Sequence, residues 1–560
     1  MSRGANIFNR KRASDRAKRR RLRWPSVAAA SAILFLTLGL PNHPDGLALG
    51  ALAILPLELP IIVGLLLLSA RLDRAGMALR AATVAFLAVT TVLKVVDYGF
   101  FTALDRPFNL AFDMPLLHAG WRLLSGSSGV PVAAACVAAA LISLLIMILL
   151  IWWATGVVVS ASICGRQSAA AIAAGLTGFA GLAAASGLAS GMTASLAYGH
   201  AGAALKAARA IAALEAEAAA DPVTRLPADA FLARLDRRDV ILAFVESYGR
   251  STHDNPLYAA TTRAALETVE SDLRRRGLAM RSAWLTSPVN GGQSWLAHAT
   301  LLSGLWIDSQ GRYDALLASK RRTLISLAAA AGRRTVAVMP AITMPWPESA
   351  WFDYTKVYTA GDLGYHGQPF GWVTMPDQYT LSAFERLELA RVERAPIFAE
   401  IALISSHTPW TPIPTLVPWE EVGDGTIFNV QAASGDSPET VWRDQARIRD
   451  QFRMAVDYSL RAIGSFAARH AGNPPLLIVL GDHQPPVFVS GSEAVRDVPI
   501  HIIGDPATVA RLAGWGWTDG LLPSADAPVW RMDRFRDRFL DVFSTGTTAQ
   551  GAFAWTGMGP

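Results

Sequence analysis

Five apolar runs crowd the first 197 residues of a 560-residue chain. Each comes close to the ~20 residues that a helix needs to cross a bilayer. The runs are Pro25 to Leu40, Leu47 to Ala70, Ala81 to Phe101, Val130 to Val159, and Ala169 to about Ala197. No soluble fold hides so much contiguous apolar sequence at one end of a chain, so a helical membrane domain is expected there. The rest of the chain reads as an ordinary globular domain. Charged residues are 17% of the total, against about 25% in soluble domains. That composition excludes disordered, collagen-like and coiled-coil chains. With only two cysteines, Cys136 in an apolar run and Cys164 in a short connecting loop, a disulfide-stapled fold or a thiolate metal site is not expected.

The net charge of +6 comes largely from the N-terminus, where Arg3 to Arg23 holds ten Lys or Arg and a single acid, Asp15. A basic arm directly before an apolar run favours a cytoplasmic topology anchor over nucleic-acid binding. Residues 1–24 are therefore read as a cytoplasmic arm and residues 25–197 as a five-helix membrane domain. Arg71, Arg74, Arg80 and Arg166 fall in loops of the same inside face, and an odd number of spans carries everything after Ala197 across the membrane. Lys94 and Asp97 lie three apart on one face of the third run and are expected to pair with each other near the outer interface rather than to face a site. Gly199 to Glu217, rich in alanine with spaced charges, reads as a linker helix within a 198–230 connection.

Residues 231–560 read as an α/β domain with a mainly parallel sheet. Buried strands are expected at Val240 to Val245, Arg334 to Met339, Ile397 to Ile404, Leu476 to Leu480 and Val498 to Ile503. Helical patterns at Thr261 to Arg275 and Gln445 to Ala471 fall between them. Ligands in such folds gather at the carboxyl ends of the strands. Three strands run directly into polar residues there: Glu246-Ser247-Tyr248-Gly249, Ser405-Ser406-His407 and Gly481-Asp482-His483-Gln484. Two carboxylates and an imidazole, Glu246, Asp482 and His483, suit one divalent cation such as Zn²⁺ or Mn²⁺. Between the first two of those strands lies Asn290-Gly291-Gly292-Gln293-Ser294-Trp295-Leu296-Ala297-His298. Ser294 is expected at the N-cap of a helix, where its hydroxyl could serve as a fourth metal donor and attack phosphorus. Thr300 is a second candidate nucleophile, set well inside that helix.

At these residues the chain resembles the alkaline phosphatase superfamily, in its membrane-bound sulfatase-like branch. That branch holds lipoteichoic acid synthase, the lipid A phosphoethanolamine transferases and the osmoregulated-glucan phosphoglycerol transferases. Gly-Asp-His-Gln-Pro-Pro at Gly481 to Pro486 is the most specific part of the resemblance, and Gly-Gly-Gln-Ser-Trp the next. The resemblance implies five spans, a linker helix and an external catalytic domain. It implies that Glu246, Ser294, Asp482 and His483 hold one Zn or Mn ion and that His407, in Ser-Ser-His-Thr-Pro-Trp, contacts the substrate phosphate. By a looser match, Trp351 and Asp353 serve the substrate site, with His366, Trp372 and Asp377 as further candidates for the same cleft.

The implied reaction moves a phosphoglycerol or phosphoethanolamine head group from a membrane phospholipid to an envelope glycan or lipid through a phospho-serine. The implied place is the inner membrane of a bacterium, multi-pass, with the catalytic domain periplasmic and no nucleic-acid partner. The chain departs from the family pattern in carrying Ser where the family has Thr, and a two-residue shift of the match would set Leu296 there instead. Ser294 as nucleophile and a degenerate, non-catalytic site therefore both stay open, as does an ester hydrolase. No Cys/Ser-x-Pro-x-Arg motif is present, which argues against a formylglycine sulfatase.

Overall fold

The computed structural model describes residues 23–46, 54–69, 72–160, 166–186, 189–491 and 495–545, apart from a few positions between 105 and 128. The basic arm, Cys164, the start of the second apolar run and Arg71 lie outside the described residues. The chain divides into two compact units, Met1–Arg209 and Ala210–Pro560.

The first unit is helical. Its helices are α1 (Arg23–Gly39), α2 (Glu58–Ser69), α3 (Asp73–Leu104), α4 (Val130–Ser160), α5 (Arg166–Ala185) and the start of α6 (Met192–Ala219), which runs on into the second unit. Two helical stretches, Asp73–Thr102 in α3 and Val130–Ser160 in α4, are long and apolar enough to cross a membrane, while the apolar helices at Pro25–Gly39, Glu58–Ser69 and Ala171–Ala185 are shorter. Helix α4 has a mean hydropathy of 3.0 and presents Leu141, Leu145 and Leu149 outward. A helix that is apolar all round is stable only when every face meets an apolar neighbour.

The fifth apolar run does not form one helix. It breaks after Ala185, makes the two-residue strand β2 (Ala189–Ser190) against β1 (Leu55–Pro56), and restarts at Met192. Gly191 lies in the break, directly before the restart, where glycine weakens a helix. The expected Lys94–Asp97 pair also does not form. Lys94 Nζ donates to Leu38 O at 2.6 Å and to Thr193 Oγ1 at 2.9 Å. Asp97 accepts from Asn42 Nδ2 at 3.1 Å and from the Phe108 amide at 2.9 Å, and lies 3.1 Å from His200 Nε2. Each buried charge is thus met by groups on other elements, which sequence spacing does not reveal.

The second unit is built on a mixed sheet whose strands run in the order β10, β4, β9, β8, β3, β7, β5, β6, with β11 beside β4. These strands are β3 (Val240–Val245), β4 (Ala279–Thr286), β5 (Arg334–Met339), β6 (Lys356–Thr359), β7 (Ile397–Leu403), β8 (Leu476–Gly481), β9 (Asp497–Gly504), β10 (Thr518–Asp519) and β11 (Val529–Arg531). The stretch from β8 through β3, β7 and β5 to β6 is parallel. The other edge is not: β9 runs antiparallel to both β8 and β4, and β10 is antiparallel to β4.

Successive residues of β3 enter two different cores, one holding Ile241, Ala243 and Val245 and the other Val240, Leu242 and Phe244. Both faces of the sheet are therefore covered, which is why these strands read as unbroken apolar runs. Helices α7 (Ala259–Arg275) and α10 (Gln445–Arg469) contribute to the first core, and α8 (Ser294–Ser303) and α11 (Phe535–Phe543) to the second. Between β6 and β7 lies the α-helix α9 (Asp377–Phe384).

Candidate metal centre and active site

Strand register brings the site together. β3 pairs in parallel with β7 on one side and β8 on the other, with Val245 opposite both Leu403 and Gly481. The next residue of β3 is Glu246 and the next of β8 is Asp482, so two carboxyls leave adjacent strands at the same level. Gly481 is required for this approach, because a Cβ there would stand 1.8 Å from the Tyr248 carbonyl oxygen. Ser247, which follows Glu246, is held at φ 56°, and its amide donates to Asp482 Oδ1 at 2.8 Å. Asp482 Oδ1 also accepts the His483 amide at 2.7 Å, leaving Oδ2 to face the site.

Ser294 is delivered by a strained loop. Gly291, Gly292 and Gln293 all have positive φ (71°, 154° and 65°), two of them at the glycine positions that tolerate it. The Gly291 amide donates to Gln484 O at 3.0 Å, tying this loop to the one that follows β8. Gln293, not Ser294, occupies the cap, and Ser294 is the first residue of α8. Ser294 Oγ lies 3.1 Å from Glu246 Oε2 and 3.2 Å from His483 Nε2. Thr300 is buried in the helix, its hydroxyl bonded to Leu296 O at 2.7 Å and to the Ile307 amide at 3.0 Å, so it is not placed to act as a nucleophile.

The donor set fits a divalent cation. Ligand atoms of Glu246, Asp482 and His483 all lie within 4.8 Å of one another. His483 Nε2 is 3.4 Å from Glu246 Oε1 and 3.7 Å from Asp482 Oδ2. Donors bound tetrahedrally at about 2.0–2.2 Å stand roughly 3.3 Å apart, so these spacings need little adjustment. His483 Nδ1 faces Gln484 O at 2.8 Å, and a carbonyl can only accept. The proton of the neutral ring is thereby fixed on Nδ1, and the Nε2 lone pair points to the cluster, as metal-bound histidines require.

The electrostatics agree. Burial opposes charge on Glu246, but His483 and His407 nearby hold its carboxyl down at about 2. Burial and the Glu246 charge push Asp482 up to about 6. Burial works against charging His483, yet the two carboxyls raise it above the ordinary imidazole value. Two acids at this separation compete for one proton unless a cation lies between them.

Glu246, Asp482 and Ser294 form part of the wall of a cavity of about 570 Å³. His407 lines it too, with Nδ1 donating to Thr408 O at 2.6 Å, so Nε2 remains for a ligand. The other expected substrate residues do not line it. Trp351 donates its indole N–H to Ser319 O, and Asp353 sits at φ 64° with its carbonyl accepting from Thr335. His366 bonds through its amide to Asp424 O, and Trp372 is 49% exposed on a loop. The neighbours Trp346, Phe352 and Tyr354 form that part of the wall instead.

Asp377 is wholly buried at the start of α9, accepting from the Ile404 and Ser405 amides at 2.7 and 2.9 Å and from Ser459 Oγ at 2.6 Å. It fixes the turn that carries His407 and does not touch the cavity. Asp377→Ala is expected to lower the stability of the full-length protein by about 3 kcal/mol, and Asp377→Asn by less, because the amide oxygen still accepts. Denaturant titration checks this, and a neutral alanine variant would refute it.

Two site residues escape the sequence reading. His298 follows Ser294 by one helical turn, and Glu400 is a buried acid in the middle of β7; both line the cavity. The signals were an i,i+4 spacing on one helix and an acid interrupting an apolar strand.

No protein-family model matches the chain, and no curated protein matches it. Among solved structures the chain is similar to the lipoteichoic acid synthase LtaP from Listeria monocytogenes, with 13% identity and a TM-score of 0.38 over 58% of this chain and 76% of that one. It is also similar to the C-terminal periplasmic domain of EcEptC from Escherichia coli, with 13% identity and a TM-score of 0.37 over 55% of this chain and 82% of that one. A third similar structure is the Streptococcus pyogenes phosphoglycerol transferase GacH in complex with sn-glycerol-1-phosphate, with 12% identity and a TM-score of 0.38 over 62% of this chain and 84% of that one.

Proposed function

We propose that this protein is a membrane-embedded, metal-dependent enzyme of the alkaline phosphatase and sulfatase kind. Its reaction is transfer of a phospholipid-derived head group to an envelope glycan or lipid through a phospho-serine at Ser294. The observation that carries this is the position of Ser294 Oγ, within 3.2 Å of both a carboxylate oxygen and an imidazole nitrogen of the cation-binding set. A divalent cation held by Glu246, Asp482 and His483, Zn²⁺ or Mn²⁺ by donor type, would supply Lewis-acid activation of the Ser294 oxygen.

Ser294 Oγ attacks phosphorus, forming a Ser O–P bond as the P–O bond to diacylglycerol breaks. An acceptor hydroxyl then attacks the phospho-serine and Ser294 is regenerated. The α8 N-terminus favours negative charge at Ser294, and His407, whose Nδ1–H is held by Thr408 O, would as an imidazolium offer its Nε2–H to a phosphoryl oxygen. The membrane assignment rests on α3 and α4 and on the basic arm before α1. The bacterial inner membrane with a periplasmic catalytic unit is part of the same proposal.

The cavity wall also bears on the substrate. Among the described residues that line it there is no Lys or Arg, whereas Glu348 and Glu400 stand on it besides the cation set. A phosphodiester with one negative charge suits such a wall better than a dianionic monoester. In detergent, the protein is expected to turn over a phosphodiester with kcat/KM roughly tenfold or more above the matching monoester. Transfer from phospholipid with a labelled head group to an added acceptor is the direct test. Preference for the monoester, or water as the sole acceptor whatever glycan or lipid is supplied, would sink the transferase reading in favour of a hydrolase.

A further inference from the structure

His298 shares the cavity with Ser294 but is not one of the clustered cation donors. Its ring is held on two sides. It lies flat on Phe244, with centroids 3.7 Å apart and planes 13° from parallel. Its Nδ1 meets Glu400 Oε1 at 2.7 Å, and the Tyr354 hydroxyl donates to the other Glu400 oxygen. Glu400 is 1% exposed and sits opposite Leu242 in the β3–β7 register, so it cannot swing away. Burial first, and then the Glu400 carboxyl, push the Tyr354 phenol well above its usual range, which keeps its O–H a donor.

With Nδ1 committed to Glu400, the neutral ring carries its lone pair on Nε2, which makes no hydrogen bond among the described residues. Ser294 and His298 are four apart on α8, so their side chains leave the same face of the helix. An imidazole locked by a buried acid beside a nucleophile is an arrangement suited to moving a proton in and out of a reaction.

Resting on the phosphotransfer reading above, we propose that His298 is the general acid–base catalyst of the reaction, with Glu400 and Tyr354 as its positioning residues. As the Ser294 O–P bond forms, protonated His298 gives its Nε2 proton to the departing alkoxide while the P–O bond to it breaks. The neutral ring then takes the proton of the acceptor hydroxyl as that oxygen bonds to phosphorus and Ser294 Oγ leaves. The released alcohol thus carries the proton that His298 held at the start, and the proton taken from the acceptor recharges His298 for the next turnover. The Ser294 proton passes to solvent water on attack, and Oγ takes one back from water when it departs.

Leaving-group dependence tests this. Two phosphodiesters with the same head group are offered to the full-length, metal-loaded protein in detergent, one with an alkyl leaving group and one with p-nitrophenol. First-turnover release is measured. An alkoxide needs a proton to leave, whereas p-nitrophenolate does not. His298→Gln is expected to slow the alkyl ester by ~10²–10⁴-fold and the p-nitrophenyl ester by less than about tenfold. Glu400→Gln should show the same split with smaller losses, and both variants should keep the wild-type metal content.

Equal losses on the two esters, no loss on either, or metal missing from His298→Gln would overturn the assignment while wild-type activity leaves the phosphotransfer reading standing. Wild-type protein that cleaves neither ester would instead sink that reading, and this assignment with it.

Discussion

Ser294→Ala is expected to cut head-group transfer by roughly 10⁴-fold or more, because it removes the atom that bonds to phosphorus and no neighbour can replace it. Thr300, the other hydroxyl on α8, is held inside the helix by bonds to Leu296 and Ile307. Three of the four donors remain in this variant, so it should still bind one divalent cation. Two measurements decide the point together. Brief reaction with phospholipid should leave the head-group phosphoryl (phosphoglyceryl or phosphoethanolaminyl) esterified to Ser294 of the wild type, found by mass spectrometry of the peptide, and nothing on the variant. A variant that still transfers, or a phosphorylated residue elsewhere, would leave Ser294 as a mere helix-start residue. A wild type that neither transfers nor carries any adduct would instead favour a fold that binds its ligand without covalent chemistry.

Stripping the cation should abolish activity, and its return should depend on pH in a direction that the site dictates. Asp482 is raised from 3.8 to about 6 by burial and by Glu246, whereas Glu246 is held near 2. The folded, metal-free protein therefore binds a proton at Asp482 that the unfolded chain has already lost. That contribution to stability is full at low pH and is lost as pH rises from 3.8 through about 6. Cation binding removes the penalty because the cation takes the place of that proton. The apparent affinity for Zn²⁺ or Mn²⁺ should fall at least about tenfold for each pH unit below about 6, and more steeply where His483 must also shed a proton. The thermal shift on adding the metal to stripped protein should accordingly be larger near pH ~7.5 than near pH ~5. A shift independent of pH would mean that these carboxyls are not the ligands.

The legible parts of the site share one property: each residue's place follows from its own element. Glu246 and Asp482-His483 come directly after apolar strands, and Ser294 follows paired glycines at a helix start, so local pattern was enough to single them out. Strand β4 was missed because Arg281 and Ser282 interrupt it; both turn to partners on β9, β10 or the segments beside them. Asp377 was misassigned to the cleft for the same reason. An acid after a proline looks like a surface loop residue until the buried Ile404 and Ser405 amides are seen to need it. Neither the split of the fifth apolar run nor the pairing of β1 with β2 was expected from the sequence.

What the sequence determined by itself is periodicity and punctuation: the apolar helices, the α/β alternation, and the strand ends where polar residues gather. Those follow from interactions within a few residues along the chain. Tertiary structure alone decided the strand order that sets β3 between β7 and β8, the tie from Gly291 to Gln484 that brings Ser294 to the carboxyls, and the stacking of His298 on Phe244 in front of Glu400. These contacts join residues 54 to 236 positions apart in the chain. Their energies depend on how whole layers pack, and no local spacing rule carries that information.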